Sequence, residues 1–116
     1  MRNYLAPLVF AVVLSSAGAA NASIKVSAFQ EMDGSPKTKP YADVYIEAYM
    51  QALTIANAAL LAQGKAALYC PPGALALDGA NARSLVTSAL RNGRATPADD
   101  IGIVVIAELQ RAFPCP

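Results

Sequence analysis

The segment that decides the fold class is YADVYIEAYMQALTIANAALLAQG, residues 41–64. Its apolar side chains recur at steps of three or four, which places them on one face of an α-helix. Gly64 follows the last periodic residue and can take the left-handed conformation that ends a helix. The sequence therefore predicts a long helix from Tyr41 to Gln63. The residues expected on its inner face are Tyr45, Tyr49, Ala52, Ala56, Ala59 and Leu60.

A row of tyrosines, Tyr41, Tyr45 and Tyr49, shares one face of this predicted helix. Such a row belongs either to the core or to an exposed binding strip. Aromatic residues at helical spacing favour the core, where their hydroxyl groups need hydrogen-bond partners at its edge.

A second helix is predicted from Gly79 to Asn92, with Asp78 as its N-cap and Gly93 at its end. Before it, Cys70-Pro71-Pro72-Gly73 contains two prolines, which exclude a helix and favour a rigid extended turn. The inner face of this helix is expected to consist of Ala82, Leu85, Val86, Ala89 and Leu90.

A third helix is expected to begin at Pro97, because Thr96 can act as N-cap and Asp99 can close a capping box. Residues 101–109 are apolar around most of the helix, so it needs cover on more than one side. It is therefore either the central helix of a bundle or part of a dimer contact. A β-strand at residues 101–106 is the competing interpretation, because Ile and Val are β-branched. The capping signal and the lack of partner strands favour the helix.

The first 22 residues have the organisation of a secretory signal peptide: Arg2, an apolar run from Leu5 to Leu14, and a small-residue site before Ser23. Cleavage is expected between Ala22 and Ser23. A retained membrane anchor is the alternative, although the uncharged stretch is at the lower limit for a bilayer span. The protein is thus expected in the periplasm or outside the cell, without stable membrane insertion after cleavage.

Residues 23–40 are rich in Gly, Pro and Lys near their end and are expected to form a flexible or extended N-terminal arm. Residues 41–116 are then the helical domain. With the leader removed, acidic and basic side chains balance, and a domain of this size needs a constraint beyond its core.

Cys70 and Cys115 are the only cysteines, and an exported chain meets an oxidising compartment. A disulfide between them is the expected constraint. An intermolecular disulfide and a reactive cysteine are the alternatives, and the lack of His and of a CxxC motif disfavours the second. The predicted class is an all-α bundle of three to four helices tied by one disulfide.

Composition argues against several functions. The formal charge of +1 offers no basic surface for nucleic acid, and the absence of His removes the usual catalytic base and zinc ligand. Asp99-Asp100 is an adjacent acidic pair, but successive helical residues point in different directions. We therefore expect no enzyme activity, no catalytic residues, no metal and no cofactor.

Two short motifs carry a resemblance to a known family. Leu68-Tyr69-Cys70-Pro71-Pro72 is followed, after a capped helix, by the closing run from Ala107 to Cys115, which ends in Phe113-Pro114-Cys115. With the run Asn57-Ala58-Ala59-Leu60 and then Gln63-Gly64, they resemble the Rap/Tai family of small periplasmic proteins over about residues 40–116.

The resemblance implies an all-helical, disulfide-tied and often dimeric domain. Some family members are immunity proteins, which block the active-site cleft of a cell-wall amidase effector delivered by a type VI secretion system. Cys70 and Cys115 match the family disulfide. The residues that match its flanks are Pro71, Pro72, Phe113 and Pro114.

The two interhelical loops, Gly73 to Asp78 and Arg91 to Ala95, are the expected contact surface for a protein partner. Arg residues near a helix exit are either a solvated face or interface anchors. Two other functions stay open: a periplasmic helical stress chaperone that exposes apolar surface in acid, and an envelope protein with an unknown partner. The candidate partner-binding residues are Gly73, Leu75, Leu77, Asp78, Arg91, Asn92 and Arg94.

Overall fold

The fold consists of α-helices joined by short turns and one longer loop. The computed structural model describes residues 23–73, 75 and 77–116, so the predicted leader, including Ala22, lies outside the described residues. Within them the chain forms four helices and one disulfide, which confirms the predicted all-α class. The helices are α1 (Val26–Asp33), α2 (Lys39–Ala62), α3 (Gly79–Arg91) and α4 (Ile101–Ala112).

The expectation of an extended or flexible arm over residues 23–40 is wrong, because α1 forms there and α2 already begins at Lys39. The residue before α1, Lys25, forms an isolated antiparallel bridge with Asp100. The backbone N–H of Val26 donates to the carbonyl of Asp99 at 2.9 Å, and that of Ser27 donates to Pro97 at 2.9 Å. Carbonyl groups that are distant in sequence thus accept hydrogen bonds from the first N–H groups of α1. No local capping residue marks the start of this helix in the sequence.

Helix α2 ends as predicted. The φ angle of Gly64 is +69°, and the N–H of Lys65 donates to the carbonyl of Leu60 at 2.9 Å, which is the long-range bond of a Schellman ending. The predicted inner face is only partly correct. Tyr45 and Tyr49 are half-buried against the core, whereas Tyr41 is 70% exposed, and Ala52 and Ala59 are exposed as well. The residues of α2 that are buried are Ala42, Ile46, Met50 and Leu53.

Helix α3 follows its prediction closely. Asp78 accepts a hydrogen bond from the N–H of Asn81 at 3.0 Å, and the Asn81 side chain accepts one from the N–H of Asp78 at 2.9 Å. This reciprocal capping box starts the helix at Gly79. On the predicted inner face Ala82, Val86 and Ala89 are buried, and Leu85 and Leu90 pack against the core. Gly93, with φ +69°, follows the end of the helix.

Helix α4 begins at Ile101, four residues later than expected. Asp99 does accept a hydrogen bond from the N–H of Thr96 at 2.7 Å, but the two residues form a turn and do not start the helix. The reason is that the carbonyls of Pro97 and Asp99 are taken up by the N-terminus of α1. The helix interpretation of residues 101–106 is nevertheless confirmed against the strand.

The core lies where α1 and α3 pack against α2 and where α4 packs against α3. Helices α2 and α3 therefore each pack against two other helices, whereas α4 packs mainly against α3. Ile103 of α4 faces solvent and is 65% exposed. The largest fully buried side chains of the core are Ile46, Met50, Ile101, Leu109, Val26 and Val105.

Candidate functional site

The candidate site is an apolar groove of about 710 Å³ between the C-terminal half of α2 and the segment that leads to α3. No charged side chain is among the described residues that line it. Ile55, Leu61 and Leu75 are 69%, 61% and 45% exposed, so large apolar groups face solvent at this groove. The described lining residues are Gln51, Thr54, Ile55, Asn57, Ala58, Leu61, Ala67, Tyr69, Cys70, Pro71, Leu75 and Leu77.

Asn57 holds one wall of the groove in place. Its amide nitrogen donates to the carbonyl of Tyr69 at 2.9 Å, and its amide oxygen accepts from the N–H of Leu68 at 2.8 Å. The Tyr69 side chain is buried in the core. One helical side chain thus supplies both hydrogen bonds that two loop residues would otherwise make with water.

The disulfide holds the same wall from the other side. Cys70 is bonded to Cys115, as predicted, and the described residues include no free cysteine. The backbone N–H of Cys70 also donates to the carbonyl of Phe113 at 2.8 Å. The loop is therefore joined covalently to the end of α4, with Pro71 and Pro72 limiting its backbone further. The groove is rigid at the edge formed by residues 68–72.

The first predicted contact loop takes part in this groove. Leu75 and Leu77 line it, and the N–H of Leu75 donates to the carbonyl of Pro72 at 2.9 Å. Gly73 is exposed beside it. Asp78, in contrast, is occupied as the N-cap of α3.

The second predicted contact loop lies elsewhere. Arg91 is the last residue of α3, and Asn92 and Arg94 follow it. The first loop precedes the N-terminus of α3, so a helix of about 20 Å separates the two loops. The structure therefore does not bring the two loops together into one surface. Asn92 donates to the carbonyl of Ser88 at 2.9 Å, which closes the end of α3.

Arg94 forms a charged cluster with Glu108, which is only 3% exposed. Both oxygens of Glu108 accept from Arg94 at 2.9 Å, and Arg111 adds a hydrogen bond at 3.1 Å. The hydrogen bonds from Arg94, with those from Arg111, hold the pKa of Glu108 below its usual value against the effect of burial. Arg94 therefore has a structural role that its position in the sequence did not reveal.

A second charged cluster joins α1, α2 and α3. Arg83 of α3 bonds Asp33 at the end of α1 and Asp43 of α2, and Lys39 bonds Asp43 at 3.0 Å. The guanidinium of Arg83 also lies 5.6 Å from the centre of the Phe29 ring. Hydrogen bonds from Lys39 and then Arg83 lower the pKa of Asp43. All of these charges are partnered within the fold.

Sequence reasoning missed the α2 side of the groove. Ile55 and Leu61 fall outside the stripe that was expected to be inner, and neither the Rap/Tai motifs nor a loop signal marks them. One signal was available: no charged residue stands between Glu47 and Lys65, although most surface helices carry charge on the outer face.

The described residues contain no group of three or more Cys, Asp or Glu side chains placed to hold a metal ion. Among these residues, α2 alone is long and apolar enough to cross a membrane, a test that core helices and signal sequences also pass. The groove presents apolar contact area, with amide and hydroxyl groups at its edges. That combination is typical of binding sites, where a few polar groups fix orientation.

Comparison of the chain with protein families, curated proteins and solved structures finds no match in any of the three.

Proposed function

We propose that this protein is an exported, non-enzymatic binding protein of the immunity type, which inhibits a peptidoglycan amidase effector. The groove between α2 and residues 67–77 is its docking surface. The observation that carries the proposal is the combination of exposed apolar side chains with a rigid wall. A preformed surface of this kind loses little conformational entropy on binding.

The partner fits the groove through an apolar, uncharged projection. Two of the charged candidate residues near the ends of α3 are engaged within the fold: Arg94 bonds Glu108, and Asp78 caps the helix. Apolar groups at the centre of an interface commonly supply most of its binding energy. Leu75 is the central contact in this proposal, because it is exposed and lies on the disulfide-anchored loop.

The type of partner is supported by the resemblance of Cys70-Pro71-Pro72 and Phe113-Pro114-Cys115 to the Rap/Tai family. Export is part of the proposal. It is supported by the leader-like residues 1–22 and is compatible with the disulfide between Cys70 and Cys115.

The test is a binding and inhibition assay with the exported, oxidised protein and a panel of type VI amidase effectors. We expect a stoichiometric complex and loss of peptidoglycan hydrolysis with one effector. Leu75→Asp should weaken binding at least about 100-fold, because it brings a carboxylate into an apolar interface.

Ile103→Asp is the matched control, since Ile103 is exposed on α4 outside the groove lining. It should bind like the unaltered protein. Failure to bind any amidase would contradict the proposed partner, and equal binding by Leu75→Asp would contradict the proposed surface.

A further inference from the structure

Three arginines lie where α3 and α4 end, and they outnumber the carboxylates beside them. Arg91 is the last residue of α3, Arg94 follows that helix, and Arg111 belongs to the last turn of α4. Within the described part of the chain, Glu108 supplies the only carboxylate that lies within 4 Å of any of the three, and it pairs with Arg94 and Arg111. Arg91, Arg94 and Arg111 are here called the arginine cluster.

The other charged cluster of the fold has no such excess of charge. There Arg83 and Lys39 face Asp33 and Asp43, so two basic groups meet two carboxylates. At the arginine cluster, three basic groups meet one carboxylate. Like charges held close together repel each other, and an anion from outside the fold would balance them.

Glu108 fixes the orientation of two of the three guanidinium groups. Its Oε2 atom accepts from Nη2 of Arg94 at 2.9 Å and from Nη2 of Arg111 at 3.1 Å, so the two groups lie side by side. Both arginines also turn their Nε atoms to Glu108. The Nη1 atoms are left on the far edge of each group, without a hydrogen bond to any described residue. Because Glu108 is buried and the side chains of Arg94 and Arg111 are 32% and 52% exposed, this far edge faces solvent.

Arg91 lies beside this pair and is exposed. Arg94 reaches back to the hydroxyl of Ser88 at 3.4 Å, and Arg91 stands three residues after Ser88 on the same face of α3. Three guanidinium groups thus share one surface. The fold engages only the inner edges of Arg94 and Arg111.

We propose that the arginine cluster is a second interaction surface, which binds a short acidic segment of a protein partner. One carboxylate of the segment would bridge the far edges of Arg94 and Arg111, and a second would pair with Arg91. A guanidinium group donates two parallel hydrogen bonds to a carboxylate, and such charge-assisted bonds are strong. Glu108 already holds two of the three groups in place, so less side-chain entropy is lost on binding.

The size and setting of the cluster favour an acidic segment over other polyanions. Nucleic acids and anionic membranes bind surfaces with many basic groups, because their affinity grows with the number of charges that are contacted. The whole chain has a formal charge of only +1. Three guanidinium groups at one place instead match the two or three carboxylates of a short peptide segment.

The arginine cluster is separate from the apolar groove. It lies at the C-terminal end of α3, about 20 Å from the loop that precedes this helix. None of its residues lines the groove. The inference therefore leaves the groove exposed and does not depend on the function proposed above.

Titration of the oxidised protein that begins at Ser23 with a capped hexaglutamate peptide tests the proposal. The NMR signals of the arginine Nε–H groups report which side chains bind. We expect saturable binding that shifts the signals of Arg91, Arg94 and Arg111 and weakens as salt is added. A capped hexaglutamine peptide should cause no shift. Shifts of equal size with both peptides would contradict a site for carboxylates.

Arg91→Gln is the first variant, because Arg91 has no ion pair among the described residues and the variant should fold, as circular dichroism can verify. It should raise the dissociation constant of hexaglutamate about 10-fold, the effect of losing one charge-assisted hydrogen bond. Arg111→Gln should act in the same direction, while Arg94 still holds Glu108.

Lys65→Gln is the matched control, because it removes the same charge from an exposed position after α2. It should change the dissociation constant less than about 2-fold, as expected for a single distant surface charge. Equal effects of Arg91→Gln and Lys65→Gln would show only a general attraction between charges and would overturn the proposal.

Other polyanions test the kind of partner. A short DNA duplex and vesicles that contain phosphatidylglycerol should each bind less tightly than hexaglutamate at the same salt concentration. Tighter binding of either one would overturn the assignment to an acidic protein segment.

Discussion

Gly102, in the first turn of α4, lies where the fold has no space for a Cβ atom. A Cβ built on Gly102 would overlap the hydroxyl of Tyr49 and would lie 2.8 Å from the ring carbon that carries it. The N–H of Gly102 also donates to the hydroxyl of Ser23 at 2.9 Å. The first turn of α4, α2 and the residues before α1 therefore meet at a position that has no room for a side chain.

Gly102→Ala should consequently lower the free energy of unfolding by about 1–3 kcal/mol, because the half-buried Tyr49 ring must move to accept the methyl group. Urea denaturation measures this loss. Gly73→Ala is the control, since a Cβ on Gly73 would meet no atom within 4 Å. A larger loss for Gly73→Ala than for Gly102→Ala would show that the packing argument is wrong.

Glu108→Gln tests the buried charged cluster of α4. The neutral amide keeps the shape of the side chain but loses its charge-assisted hydrogen bonds with Arg94 and Arg111. We expect the free energy of unfolding at neutral pH to fall by about 1–2 kcal/mol. Thermal denaturation measures this loss of stability. A variant as stable as the unaltered protein would show that the cluster does not stabilise the fold.

Asn57 joins α2 to the groove wall at residues 68 and 69. Asn57→Ala removes two hydrogen bonds to the backbone of Leu68 and Tyr69, so we expect a loss of about 1–3 kcal/mol in unfolding free energy. Amide exchange of Leu68 should also become faster. Gln63→Ala, at an exposed position that ends the same helix, should leave both measurements unchanged.

Reduction of the disulfide tests the other attachment of this wall. The bond joins residues 45 apart in sequence, and loops of this length contribute about 4 kcal/mol in the chain-entropy model. Equilibrium unfolding with and without reductant measures the difference. A Cys70→Ser, Cys115→Ser double variant should match the reduced protein, and a mismatch would show that reductant acts on something else.

How well an element could be predicted depended on whether its causes were local. Asp78 and Asn81, which form the capping box of α3, are three residues apart, and Gly64 directly follows the end of α2. Each of these signals is local, so the sequence alone was enough to predict where α3 begins and where α2 ends. Helix α1 was missed because its first N–H groups donate to Pro97 and Asp99, far away in the chain. The groove was missed for the same reason, since α2 and Leu75 meet only after folding.

The molecule as a whole should lose stability in acid, and the sign follows from two carboxylates. The pKa values of Asp43 and Glu108 are lowered in the folded protein by their hydrogen bonds to basic side chains. A group with a lowered folded pKa contributes stability above its unfolded pKa and loses that contribution as the pH falls through the folded pKa. The loss should therefore begin near pH 4.5, the ordinary value for Glu, and grow below it.

Unfolding midpoints measured in denaturant between neutral pH and pH 2 test this expectation. Glu108→Gln should show a smaller decrease over the same pH range, because one of the two titrating groups is absent. An unchanged midpoint down to pH 2 would contradict the role of both clusters.

The pairing of Lys25 with Asp100 has a consequence for the order in which the chain folds. Hydrogen bonds between residues 24–27 and residues 97–101 span almost the whole described chain, and contacts of such high sequence separation are costly to close. Helix α1 lacks a local cap and depends on them, whereas α3 carries its own. We therefore expect α3 and α4 to pair early in folding and α1 to dock last.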